Sequence, residues 1–408
     1  MTSQGFRCRL CRSDNLQPVI DLGLMPLAND LRTPDQDPIA AARFPLAAVR
    51  CLDCTLVQIT ETVPPEILFR DYAYFSSFSD SFLSHARKFA DRMIDERALS
   101  GDDLVLEIAS NDGYLLKHFV ARGVRALGVE PARNVASAAR EVGVTTIDEF
   151  FDADLAAKVV AEHGHASIAV ANNVLAHVAD LHGVVSGLAT VVGDTGTVVV
   201  ETPYLIEMIN QREFDTIYHE HLCYYSVTAV NQLFALHGLV LVDVEQLAVH
   251  GGSLRIFAEA NGVPGRTVEE LLAREEEWGI RSASRYDEFA FDVAKIRDEL
   301  PALLSNLRSS ASSVAGYGAA AKAAVILNAC HLDAEDVMYV VDRNPVKQGR
   351  LMPGTRIPIV PPERLANDRP DYVIVFVWNI LDEVRAQQTR YEAAGGQFIV
   401  AIPSPRVV

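Results

Sequence analysis

Two short glycine-containing turns, each set between an apolar strand and a helix, restrict this chain more than any other feature. The first, EIASNDG at 107–113, follows the run DLVLEI, and the next strand ends at Glu130, 23 residues beyond Glu107. The second, GYGAAAK at 316–322, is followed by a helix and by the strand MYVV, which runs into Asp342, 24 residues beyond Gly318. Strand, turn, helix and strand in that order require a parallel sheet covered by helices on both faces. The chain therefore reads as α/β, with two such units. IAVANNV, GTVVVETP, GLVLVDVEQL and SLRIFAEA extend the first. The last two have no helix between them, which predicts an antiparallel hairpin at the sheet edge. YVIVFVW and QFIVAIP extend the second, and residues 264–310, rich in Glu, Arg and Leu, read as helices joining the units.

Ahead of both units stand two cysteine pairs, Cys8/Cys11 in CRLC and Cys51/Cys54 in CLDC. Zinc takes four thiolates tetrahedrally, and each CxxC offers two from one tight turn. The pairs predict one structural Zn2+ per chain. Four cysteines leave no open position for metal-centred catalysis. The remaining Cys223 and Cys330 read as ordinary buried thiols, and six cysteines in 408 residues are too few for a disulfide scaffold. The expected division is 1–62 for the zinc-binding module, 63–98 for a helical connection and 99–262 for the first α/β domain. A second helical connection follows at 263–310, and 311–408 form the second α/β domain.

Composition narrows the partners. A net charge of −18 with no basic cluster disfavours nucleic acid and anionic membranes. The N-terminus lacks the apolar core of a secretory signal. The least polar stretch, 311–330, is interrupted by Lys322 and two glycines, short of the ~20 clean apolar residues of a membrane span. A cytoplasmic protein with a small-molecule partner is the expectation.

Each turn carries its own chemistry. Glu130, at a strand end, can accept hydrogen bonds from both ribose hydroxyls of an adenosine ligand. Glu107 and Asp112, flanking the turn that ends at Gly113, are awkward beside a pyrophosphate but suit a cation. S-adenosylmethionine carries a sulfonium, an ammonium and no phosphate, so the charge favours it over NAD. In the second turn, Gly316, Gly318, Ala319 and Ala320 let backbone amides approach a pyrophosphate, with Lys322 close by. Asp342 sits where an NAD-binding fold would also place an acid, so an oxidoreductase stays open for this half. Trp378 and Asn379 follow another strand and can touch the same ligand. Within the first unit, after the strand GTVVVETP, lies FDTIYHEHLCYYS, 214–226. An HExxH metalloprotease motif would need His at 223, which is Cys223. Adjacent His and Glu suit proton transfer instead, Glu raising the basicity of an imidazole.

Taken in order, the CxxC pairs, EIASNDGYLL, NNVLAHV, ETPYL, YHEHLCYYS, HGGSLR and GYGAAAKA resemble the S-adenosylmethionine-dependent C-methyltransferases of nucleotide-linked deoxysugars. The resemblance spans nearly the whole chain, and YHEH followed by HGGSLR is its most specific part. It implies a zinc-binding N-terminal module, a central Rossmann-like class I methyltransferase domain and a C-terminal Rossmann-like domain for the substrate nucleotide. It implies methylation of a dTDP-4-keto-deoxysugar at a carbon next to the ketone, in deoxysugar and antibiotic biosynthesis. Tyr218, Glu220 and His221 match the active-site Tyr-x-Glu-His, His177 the histidine of NNVLAHV, and Tyr72 a tyrosine of the preceding helix. Asn111, Pro131, Asn172 and Asn173 join the donor site on the same ground. His221 is the expected base, with His219 the alternative imidazole. Methylation at oxygen or nitrogen, a nicotinamide-dependent oxidoreductase and a zinc-ribbon binding protein are the competing readings. The sugar, C3 against C5, and the oligomeric state stay open.

Overall fold

A computed structural model describes residues 5–69, 76–78 and 80–408. Its central sheet has seven strands. Across it run Val240–Leu247, Ser253–Glu259, Thr197–Pro203, Ile168–Asn172, Leu104–Ile108, Arg125–Val129 and Thr145–Ile147. Leu104–Ile108 is buried at every position, as a strand covered on both faces must be. Ser253–Glu259 is antiparallel to both of its neighbours, which makes the expected hairpin at the edge. Chain order reverses between Ile168–Asn172 and Leu104–Ile108. At such a switch point the flanking helices diverge and open a crevice at the strand ends.

The C-terminal sheet repeats this logic in the order Ile359–Val360, Val340–Val341, Val314–Tyr317, Tyr372–Val375, Gln397–Val400 and Arg406–Val407. All its pairs are parallel except the last. Its reversal lies between Val314–Tyr317 and Tyr372–Val375, beside the second glycine turn. Two helices, Arg266–Trp278 and Ala283–Ser309, join the sheets, with Gly279 in the left-handed conformation (φ 90°) at the corner between them.

The N-terminal sheet pairs Leu16–Pro26, Arg43–Cys51 and Val57–Ile59 antiparallel. Its fourth strand, Cys223–Tyr224, comes from the far end of the YHEH segment, with Val57 opposite Tyr224 and Gln58 opposite Cys223. Val57–Ile59 is wholly buried, and an edge without a partner there would strand backbone groups away from water. Leu56, Val57 and Ile59 share one core with Leu222, Cys223 and Tyr225. The zinc module is thus sewn into the central domain. It also meets the C-terminal domain through an Arg32–Leu351 bridge and Arg43, which donates to the Gly354 carbonyl. Among the described residues, no helix is long and apolar enough to cross a membrane.

Candidate active site

The four cysteine sulfurs lie within 4.8 Å of one another. Cys8 Sγ and Cys54 Sγ are 3.4 Å apart, as are Cys11 Sγ and Cys51 Sγ. Tetrahedral Zn–S bonds of ~2.3 Å place sulfurs about 3.8 Å apart, so the donor set fits zinc. Both knuckles close alike: Arg12 N bonds Cys8 O, Thr55 N bonds Cys51 O, and both Arg12 and Thr55 have φ above +60°. Gln58 Nε2 donates to Cys8 Sγ at 3.1 Å, which steadies thiolate charge.

At the central switch point, Ala109, Asn111 and Gly113 have φ of 50°, 50° and 76°. Ala109 therefore takes the left-handed conformation that nucleotide-binding loops usually give to glycine, a strain of ~1–3 kcal/mol of the kind stored at functional sites. Glu130 spans the crevice: Oε2 accepts from Asn111 N at 2.9 Å and Oε1 from Ala132 N, beyond Pro131, at 2.8 Å. Ser76 N donates to Asn111 Oδ1 and Ser77 N to Asp112 Oδ2, which seats Ser76–Phe78 on the turn. Asn172 and Asn173 end the adjoining strand, with Asn173 at φ 55° and its amide bonded to Glu201 O. Glu107 is 1% exposed, and the Tyr114 phenol is a polar group that reaches its carboxylate. Burial pushes its proton affinity well up; the Tyr114 phenol tempers this, while the nearby charges of Glu130 and Asp112 add to it. An acid so placed calls for a cation, as a sulfonium and ammonium ligand would supply.

The YHEH segment packs on the loop that follows Asn172 and Asn173, with Leu222 N bonding Ala176 O at 2.6 Å. His221 Nδ1 is 2.8 Å from Thr216 O, and a carbonyl only accepts, so Nδ1 carries the proton. Nε2 accordingly accepts from the Tyr218 hydroxyl at 2.7 Å. His177 Nδ1 donates to Glu220 O at 2.7 Å, and its ring stands 4.8 Å from that of His221. Burial lowers His177 to about 4, against the opposing pull of that carbonyl, so it is neutral at ordinary pH. His219 points elsewhere: Nε2 donates to Pro45 O of the zinc module at 3.1 Å, and the ring meets Phe44 edge-on. A tight turn, closed by His221 N on Tyr218 O at 2.9 Å, separates the two imidazoles, which would share a face if the segment were extended. Tyr72 lies outside the described residues.

In the second turn Asp342 faces inward, accepting from Ala319 N and Asn344 N at 2.8 Å each. Lys347 Nζ donates to Ala319 O. Gly316 has no room for a Cβ, which would meet Phe376 at 2.7 Å, and Gly318 has φ 92°. Ala320 precedes the helix Ala321–Ala329. Lys322 turns to the central domain, its Nζ 3.7 Å from Asp215 Oδ1 and 4.9 Å from the Trp378 ring centre. Trp378 Nε1 donates to Asp215 Oδ2 at 2.8 Å. The second turn is thereby tied to the loop whose Thr216 holds His221. A cleft of about 470 Å³ adjoins, lined by Tyr204, Gly251, Gly252, Arg274, Trp378 and Asn379.

Sequence reasoning missed Asp215, Glu213 and Asn29, which lie far in sequence from the motif residues they serve. The two glycines of HGGSLR explain themselves here: a Cβ would strike Glu213 at Gly251 and Glu207 at Gly252. Arg255 of the same motif bonds the buried Glu201 carboxylate at 2.9 Å. Glu213 is 3% exposed, and burial, opposed by Lys322 and reinforced by Asp215 and Glu207, raises its carboxyl to about 7. A raised carboxyl binds its proton more tightly in the fold than in the unfolded chain. Its contribution is complete below 4.5 and is lost as pH rises through about 7. Glu213→Gln is expected to raise stability at pH 8 by up to ~3 kcal/mol and to leave it unchanged at pH 4. Thermal melts of both proteins across that range measure the difference.

The crevice and strand order define a class I methyltransferase, here carrying a zinc module and a second α/β domain. Family matches cover the chain in three parts: a zinc binding domain over residues 8–69, a methyltransferase domain over 82–244 and a C-methyltransferase C-terminal domain over 248–403. The C-methyltransferase NovU of Streptomyces niveus is 37% identical over 404 residues, covering 98% of this chain and 96% of its own. The chain belongs to this family of S-adenosylmethionine-dependent C-methyltransferases. Solved structures similar to it include magnesium protoporphyrin IX methyltransferase from Synechocystis PCC 6803 (12% identity, 43% of this chain, 78% of that one, TM-score 0.34). The CcbJ methyltransferase of Streptomyces caelestis is another (16%, 43% and 89%, TM-score 0.33). Scores this low carry no inference about ligand or activity.

Proposed function

We propose that the protein methylates the carbon alpha to the ketone of a nucleotide-linked 4-keto-deoxysugar, with His221 as base. The observation that carries this reading is the Tyr218–His221 pair, 2.7 Å apart, on a loop joined through Asp215 to the second glycine turn. A hydrogen alpha to a ketone is acidic because the anion is an enolate. Tyr218 has one hydroxyl proton to donate. When the ketone oxygen takes that hydrogen bond, Nε2 of His221 is bared and the carbonyl is polarised in one motion. The carbon–hydrogen bond then breaks toward Nε2, its electron pair passing into the enolate, which the Tyr218 hydroxyl stabilises. Thr216 O holds the imidazolium from behind. S-adenosylmethionine supplies an electrophilic methyl group, which the nucleophilic carbon takes from sulfur in line.

Glu107, Asn111, Asp112, Gly113, Glu130, Pro131, Asn172 and Asn173 hold the donor, Glu107 facing its positive charge. The backbone at Gly316, Gly318, Ala319 and Ala320 receives the pyrophosphate of a dTDP-like nucleotide, with Lys322 near it, Asp342 bracing the turn, and Trp378 and Asn379 at the cleft. The C-methyltransferase of NovU's name supports a carbon acceptor. The test is deuterium exchange in D2O with dTDP-4-keto-6-deoxyglucose and no methyl donor. Deuterium is expected at one carbon flanking the ketone, and the methylated product made with donor should carry its new C–C bond there. Absence of exchange, with methyl appearing on an oxygen of the same sugar, refutes the proposal.

A further inference from the structure

Asn29 sits in the tight turn after Leu16–Pro26, where Asp30 N bonds Leu27 O and Leu31 N bonds Asn29 O. Its Nδ2 donates to Glu220 Oε1 at 2.6 Å, across 191 residues of sequence. The turn is braced from outside the zinc module: Leu351 N bonds Arg32 O at 2.8 Å, and Arg350 donates to Leu31 O at 3.2 Å. The same module grips both flanks of Glu220, through Pro45 O on His219 and through Ile59 N on Leu222 O. Glu220 is thus the centre of a three-point clamp, with His177 on its carbonyl.

We infer that Asn29 of the zinc module is a positioning residue that fixes the Glu220 carboxylate in the methyl-transfer site. The inference rests on the reading of Glu220 as part of that site. An amide nitrogen has only protons to offer, so Oε1 is held as an acceptor in one orientation. The backbone clamp alone sets where Glu220 begins; the Asn29 amide sets where its carboxylate ends. The zinc module then contributes a side chain to the reaction, beyond supporting the fold.

The test is a mutant cycle on the full-length zinc-loaded enzyme. Asn29→Ala is expected to lower kcat by ~10–100-fold, the scale of a small misplacement at a reacting centre. KM for both substrates, zinc content and thermal midpoint should stay near wild type. Asn29→Asp keeps the side-chain shape but sets one carboxylate against another, and should lower kcat at least as far; it serves if truncation unfolds the turn. In the Glu220→Ala background, which leaves no acceptor for the Asn29 amide, Asn29→Ala should cost nothing further, because both changes act through one group. Wild-type kcat in both Asn29 variants, or an undiminished loss in the Glu220→Ala background, overturns the inference. If Glu220→Ala itself turns over normally, the assignment of Glu220 falls and takes the inference with it. If Glu220→Ala is impaired while the Asn29 variants are not, the inference alone fails.

Discussion

His221→Ala is expected to keep its zinc and bind both ligands, yet lose turnover by ~10²–10⁴-fold, the range for a positioned proton acceptor. The loss should fall on kcat, because the Nε2 lone pair matters only once the carbon–hydrogen bond begins to break. Solvent exchange at the carbon alpha to the ketone should fall in parallel. His219→Ala should do the reverse. Its ring is buried against Phe44 and bonded to Pro45 O, so removing it should lower thermal stability more than the rate of exchange. Exchange at the wild-type rate in His221→Ala would assign the proton to another group, Tyr218 at 2.7 Å from His221 being one candidate.

Zinc removal is the second large effect. Structural zinc is worth ~10–16 kcal/mol in small modules, and this one is built on strands of 11, 9 and 3 residues. Cys51→Ala or a strong chelator should therefore melt the module. Its sheet includes Cys223–Tyr224, one residue beyond YHEH, so methyl transfer should be lost with the metal. The measurement is zinc content and turnover in one chelator titration, with far-UV circular dichroism to follow the central sheet. Each α/β domain has a core on one face that excludes the module, besides the core all three share, and should keep most of its signal. Full activity in protein shown to be zinc-free would refute the coupling.

Local signals in the chain sufficed for much of this. Two CxxC knuckles, two strand–turn–helix units and the acids at 130 and 342 are each written within a few tens of residues, where backbone geometry leaves few alternatives. The hairpin of Val240–Leu247 and Ser253–Glu259 followed from the want of a helix between two strands. Ala109, by contrast, hid a glycine-like turn, because surrounding contacts can hold a left-handed alanine that local propensity disfavours. Which of two neighbouring histidines meets Tyr218 was also beyond local reading. It depends on how residues 217–222 leave Phe214–Thr216 and enter the zinc sheet. So were Asn29 on Glu220, and Asp215 between Lys322 and Trp378. The sequence alone determined which elements form and what chemistry their residue types can support. Tertiary structure decided which distant polar groups meet, because a buried donor must find an acceptor wherever packing brings one within reach.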